Sequence, residues 1–263
     1  MSDAQSLVRD FANTPGASEF DAAILVARLI DADVDVGRTR SELQALGALS
    51  RETLGESAAV ADVCAFMQDQ GYRGASDDYY QLDNSRIDRV LERRRGIPIT
   101  LAVLYLMAAR ALGLETHGIN FPGHFLLRVE NMFVDPFRHQ TQTEADCLHR
   151  VEQLGDRRAA VQLLTRATPE DFLVRMLNNV RSILNDAGEL SRALELVQCQ
   201  RIVRPRELGL GVEEARLWER LDVPGQACDT LTGLLPHVEH APTREQMQVW
   251  IDQLSGQGNP TLH

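Results

Sequence analysis

The chain contains no lysine: all 27 of its basic residues are arginine. That absence removes whole chemistries, because a Schiff base, a phosphate-binding P-loop and a Ser-Lys dyad each need a lysine amine. A genome rich in arginine codons accounts for the bias without a functional cause. Cysteine is also sparse. Cys64, Cys147, Cys199 and Cys228 lie far apart and form no Cys-x-x-Cys pair, so free thiols in a reducing, cytoplasmic setting are expected. No basic and apolar leader opens the sequence. The longest nearly apolar run, residues 97–109, is shorter than the roughly 20 residues that span a bilayer.

What is present fits a water-facing globular chain. Its 263 residues are 44% apolar and 25% charged, enough for one large domain or two modest ones. The net charge is −11, with 38 acidic residues against 27 basic ones. No long basic stripe interrupts this balance, which argues against direct nucleic-acid binding, where phosphate contacts supply most of the affinity.

Along the chain, residues 1–17 are small and polar and read as a loose lead-in. Helical periodicity starts near Glu19, with Phe20, Ala23, Ile24 and Ala27 on one face. Further helices are expected over about 36–46 and 57–70. Residues 72–84 read as a loop, and Ser85 as the N-cap of a helix over 86–92. Gly96 breaks that helix. Pro98 suits the first turn of the next one, over 98–112, which is apolar on nearly all sides and so reads as a buried central helix. Two strands follow. In residues 124–130, His124, Leu126 and Arg128 share one face, and 132–137 returns antiparallel. A two-residue turn at either Glu130-Asn131 or Asn131-Met132 puts Asp135 opposite Leu126 or Arg128, on the face of His124. Beyond Pro169 the pattern is helical throughout. Gly188-Glu189-Leu190-Ser191-Arg192-Ala193-Leu194 recurs as Asp222-Val223-Pro224-Gly225-Gln226-Ala227-Cys228, and Ala193 to Ala227 is the 34-residue tetratricopeptide period. Two such units and a final helix over about 243–254 make a short array.

The order of these features resembles a transglutaminase-type Cys-His-Asp site. In that superfamily a Gly-x-Cys opens the central helix and an Ala stands four residues after the Cys. Here the Ala is Ala102, which places Pro98 at the nucleophile position, with His124 and Asp135 as the remaining members. Asp77-Asp78-Tyr79-Tyr80, Asn84-Ser85, Arg93-Arg94-Arg95-Gly96-Ile97-Pro98, Pro122-Gly123-His124-Phe125 and Val134-Asp135-Pro136-Phe137 resemble the SirB family of bacterial proteins. That family is described as transglutaminase-like with tetratricopeptide repeats, and a similar domain occurs in a eukaryotic F-box protein. The resemblance covers about residues 20–240. It implies an α+β, mostly helical papain-like domain with a small antiparallel sheet over 18–167, and an all-α repeat array over 168–263.

Proline supplies no thiolate, so no catalytic residue is expected and the triad positions Pro98, His124 and Asp135 read as vestigial. Thr100 lies about 200° around the helix from Pro98 and is a weak nucleophile. Cys64 and Cys147 read as half-buried structural thiols. For His124 and Asp135 two readings stand, a ligand-binding or water-activating pair and a hydrogen bond kept for the sheet. Tyr79, Tyr80 and Asn84 are the other candidate ligand contacts, with core packing of one tyrosine as the alternative. Arg93-Arg94-Arg95 reads as a solvated helix end rather than an anion site. Cys147-x-His149, with His139 nearby, lacks the second pair that a zinc site needs, so no metal and no cofactor is expected. The sequence thus points to a pseudoenzyme that binds a protein or peptide through its repeats, with Arg192 and Arg216 as candidate contacts. The rival is a hydrolase or acyltransferase using another nucleophile or an activated water.

Overall fold

A computed structural model of the chain describes residues 2–121, 123–152 and 164–257. Pro122 of the Pro-Gly-His-Phe element lies outside the described residues. The chain divides into two compact units, residues 15–176 and residues 1–14 with 177–263.

The stretch expected to be a loose lead-in is instead a helix, α1 (Asp3–Asn13). The Ser2 hydroxyl accepts the Gln5 N–H, and Val8 and Phe11 are buried. A polar sequence carrying two well-spaced apolar residues and a cap is enough for a helix once another element covers it. That element is α9, described below, against which α1 packs within the second unit.

The first unit opens with α2 (Glu19–Ile30), held by a reciprocal cap between Ser18 and Asp21. Then come α3 (Val36–Leu54), α4 (Val60–Asp69) and the two-residue strand β1 (Arg73–Gly74). A 3-10 turn (Leu82–Ser85) precedes α5 (Ile87–Arg93). Because that turn takes up Ser85 and buries it, Arg86 rather than Ser85 stands at the N-cap of α5. Strand β2 (Arg95–Gly96) pairs in parallel with β1 and leads into α6 (Pro98–Ala111).

Helix α6 is the centre of this unit. Nearly every residue from Pro98 to Ala109 is buried, as expected for a helix with no polar face. Helices α2, α3, α4 and α5 all pack against it. The Ser50 hydroxyl of α3 donates to the Ala108 carbonyl at 2.8 Å. At the C-terminal end, the Arg110 guanidinium grips Glu19 with two hydrogen bonds of 2.8 and 3.1 Å, a bidentate fork that ties α2 to α6.

The sheet lies on α6 through its first two strands. It is an antiparallel meander of β3 (Thr116–Ile119), β4 (Leu126–Val129), β5 (Met132–Asp135) and β6 (Gln140–Gln142). Val129 pairs with Met132 and Leu127 with Val134, so the turn is Glu130-Asn131 and Asp135 falls opposite Leu126, one of the two expected registers. The sequence reading does not include β3 and β6, because neither shows a clear apolar alternation. Helix α7 (Glu144–Glu152) follows. Helix α8 (Pro169–Asp186) contributes its first half to this unit and its second half to the other.

The second unit continues with α9 (Leu190–Val203), α10 (Leu208–Arg220), α11 (Pro224–Leu234) and α12 (Ala241–Gln257), each packed on the next. Helices α9 and α11 begin 34 residues apart, and Ala193 and Ala227 are both fully buried at equivalent places. Small side chains there let neighbouring helix backbones approach closely.

Close packing in the first unit makes Gly118 hard to replace. A Cβ there would lie 2.5 Å from the Phe172 ring and 2.9 Å from the Phe125 ring, and both rings are buried. Gly118→Ala should therefore destabilise the first unit by about 1–3 kcal/mol, read as a lower denaturant midpoint for the full chain. An unchanged midpoint would mean that Phe172 does not close on β3 as described.

Candidate functional site

Asp135 ends β5 with no exposed surface. Its Oδ1 accepts three hydrogen bonds, from His124 Nε2 at 2.9 Å and from the backbone N–H groups of Phe137 and Arg138 at 3.0 and 3.2 Å. Arg138 Nη1 lies 3.4 Å from Oδ2. Burial by itself raises a carboxyl pKa. Here the His124 bond and charge, followed by the two backbone donors, outweigh it and hold Asp135 below the usual carboxylate range. The carboxylate can only accept, so His124 must present Nε2–H to it. In the neutral ring the lone pair is then on Nδ1, which makes no hydrogen bond among the described residues. This is the arrangement that orients an imidazole as a base toward a nucleophile.

The His-Asp pair is assembled, but not by strand alternation alone. His124 sits in a bend just before β4, so its position comes from that bend together with the pull of Asp135. The turn after Asp135 delivers Phe137. A Cβ on Gly74 would lie 2.6 Å from the Phe137 ring, so only glycine leaves room for the ring against β1. The Phe137 centroid is 6.3 Å from that of His124 and 6.1 Å from that of Tyr79, and Tyr79 stacks edge-on with Tyr80 at 5.2 Å. His124, Phe137, Tyr79 and Tyr80 thus form a row of rings. Tyr79 is half-buried and Tyr80 is 72% exposed.

Charges and one amide hold the tyrosine loop in place. Arg93 and Arg95 pair with Asp78 at 3.3 and 3.1 Å, and Arg93 also reaches Asp83 at 3.4 Å. These arginines are therefore neither a solvated helix end nor an open anion site. Their pairs fasten residues 77–83 to α5 and β2. Arg94 takes a left-handed conformation and donates to the Gln70 carbonyl. Asn84 is fully buried and donates to the Asp78 and Tyr79 carbonyls at 2.6 and 3.4 Å, so it supports the loop from inside.

At the head of α6, Pro98 occupies the first helical position. The Thr100 hydroxyl accepts the Ile97 N–H at 3.0 Å and donates to the Asn84 carbonyl at 2.8 Å, so it is spent on structure. Cys64 is on α4, beside Tyr105. The Tyr105 hydroxyl lies 2.6 Å from His139 Nδ1, and burial pushes the Cys64 thiol up to about 11. Burial does the same to Cys147, at about 11, and Cys199, at about 12. No His, Cys, Asp or Glu grouping able to hold a metal occurs among the described residues, including around Cys147, His149 and His139. Arg192 and Arg216 lie on α9 and α10, exposed, each beside an acid three residues earlier, Glu189 at 2.7 Å and Glu213 at 3.8 Å.

One residue at the site escaped the sequence reading. Arg175, on the first half of α8, donates from Nη1 to Asn120 Oδ1 at 2.9 Å and from Nη2 to the His124 carbonyl at 3.4 Å. It stands 51 residues beyond His124, inside an ordinary amphipathic helix, and no motif marks it.

The geometry predicts a pH signature. Asp135 is ionised more readily folded than unfolded, so its stabilisation is present above the unfolded carboxyl pKa of about 3.9 and is lost as pH falls through the lower folded value. Asp135→Asn should cost about 1–3 kcal/mol at pH 7, and the gap from wild type should narrow below about pH 4. Denaturant titrations of both proteins across that range measure it, and a gap independent of pH would contradict the assignment.

Known proteins are similar to this chain in sequence. A UPF0162 protein of Xylella fastidiosa is 38% identical over 136 residues, covering 48% of each chain. A UPF0162 protein of Pseudomonas aeruginosa is 33% identical over 164 residues, 60% of each. F-box only protein 21 of Mus musculus is 28% identical over 195 residues, 67% of this chain and 30% of that one. The chain thus matches about half the length of the first of these relatives. No solved structure matches it. The transglutaminase-like superfamily pattern covers residues 37–178, from α3 through the His-Asp pair to Arg175 and beyond, and this chain belongs to that superfamily.

Proposed function

We propose that this chain is a non-catalytic transglutaminase-like protein that works by binding. The observation that carries the reading is Pro98 at the first position of α6, the place that the superfamily resemblance gives to the nucleophile, in a chain whose His124 and Asp135 are hydrogen-bonded at 2.9 Å. An acyl-transfer site of this type needs a thiolate whose pKa is lowered by a helix N-terminus and a neighbouring imidazole. Proline carries no reactive atom. The Thr100 hydroxyl is engaged at both ends, and burial holds the thiols of Cys64, Cys147 and Cys199 in the protonated form at neutral pH. The SirB-type assignment and the tetratricopeptide character of the C-terminal helices belong to the same reading, as does a reducing, cytoplasmic setting for four free cysteines. No described helix is long and apolar enough to cross a membrane.

Thiol-directed activity probes should label no residue near the head of α6. A panel of glutamine amide, thioester and ester substrates should show neither hydrolysis nor transamidation above background. Turnover that disappears on alkylation, or on His124→Ala, would overturn the reading in favour of a hydrolase or acyltransferase.

A protein or peptide partner is the second part of the proposal, with the helical repeats as its surface. Arg192 and Arg216 are exposed there, and each is close enough to a glutamate that charge reversal changes the local field without disturbing the core. Arg192→Glu with Arg216→Glu should weaken partner capture from the host, and folded His124→Ala should leave it nearly unchanged. The opposite pattern would move the partner surface to the cleft.

A further inference from the structure

We propose that the surface formed by Arg175, His124, Tyr79 and Phe137 binds the carboxylate of an N-acylated amino acid, a second site, apart from the repeat surface, that rests on the non-catalytic reading of the His124–Asp135 pair. The argument starts from Arg175. Several half-buried arginines of this chain meet carboxylates: Arg86 pairs with Asp31 and Asp88, Arg110 with Glu19, Arg181 with Glu213; Arg150 instead donates to the Gln142 amide oxygen and covers its cation with the Phe121 ring. Arg175 likewise meets no described carboxylate. Both of its hydrogen bonds go to neutral oxygens, the Asn120 amide and the His124 carbonyl, and no ion pair among the described residues includes it. Two of its five N–H donors are used, which leaves three for a ligand. Burial already lowers its pKa, and Tyr79 is the titratable group whose charge opposes that shift. A partly desolvated guanidinium with unused donors is suited to a planar anion, because each hydrogen bond it then makes is charge-assisted.

The surroundings define the rest of the ligand. Asp135 is ionised close by, with Arg138 shared against it, and Arg175 adds one positive charge that no described acid shares, so a monoanion suits the place better than a phosphate dianion. Phe137, flanked by the His124 and Tyr79 rings at 6.3 and 6.1 Å, offers an aromatic wall to an apolar body. His124 Nδ1, its lone pair directed away from Asp135, can accept one N–H. A carboxylate, an amide N–H and an apolar side chain on adjacent atoms describe an N-acylated amino acid, either free or at the C-terminus of a peptide.

The test uses the full chain with N-acetyl-phenylalanine, the tripeptide Ala-Ala-Phe with a free carboxylate, the C-terminal amides of both, and phenyl phosphate. Binding is followed by calorimetry and by amide NMR shifts. The free carboxylates should bind with Kd values of about millimolar or better, as expected for fragments of this size. Each amide should bind at least about tenfold more weakly. Arg175→Gln should lose about 10- to 100-fold. Asn120→Asp should do the same while keeping Arg175 packed, because it supplies an internal carboxylate at Nη1, and it carries the test if Arg175→Gln misfolds. Tighter binding of the tripeptide than of the acetyl amino acid identifies a peptide C-terminus as the source; the reverse order identifies a free acyl amino acid. Equal binding of acid and amide, stronger binding of phenyl phosphate, or full affinity in both variants overturns the proposal. Conversion of a probe to product would instead overturn the non-catalytic reading and leave the binding site standing.

Discussion

The buried carboxylate of Asp135 is the constraint on which the rest of the site depends. A charge with no exposed surface is tolerated only when its lone pairs are satisfied. Here the satisfaction comes from His124 and from the N–H groups of Phe137 and Arg138. Meeting that one requirement fixes three things together. It sets the ring orientation of His124, folds the chain back after β5, and delivers Phe137 onto Gly74. The row of rings that ends in Tyr80 follows from that turn.

Arginine does nearly all the electrostatic fastening, as it must in a chain with no lysine. Bidentate or networked guanidinium pairs join α2 to α6 and residues 77–83 to α5 and β2. The planar fork suits these partly buried positions better than an ammonium would. Arg175 departs from this pattern, held by neutral oxygens beside His124. No described side chain supplies it with an acid.

The two units differ in how their fold is legible. In the first, chain order carried the information. Helix head, His124 and Asp135 recur in a spacing that identifies the superfamily, and the hairpin register that sets Asp135 against Leu126 follows from a two-residue turn. In the second, a 34-residue repeat was readable because the buried Ala193 and Ala227 occupy equivalent helix positions, but α1 was not assigned to that unit. A polar segment with only Val8 and Phe11 to bury has little helical signal of its own, and its helix depends on the packing it receives from α9.

The sequence by itself determined the central helix, its proline head and the candidate His-Asp pair, because these rest on residue identity and short-range periodicity. It could not show that Ser85 would be buried in a 3-10 turn, that Arg93 and Arg95 would be consumed by Asp78, or that Asn84 would brace the tyrosine loop from within. Those are outcomes of side chains meeting across long separations in sequence, where a charge or amide is satisfied by whichever partner the packing brings. Arg175 is the clearest case. Its helix reads as an ordinary amphipathic segment, and only the folding of α8 against β3 and the His124 bend puts its guanidinium beside the His124–Asp135 pair.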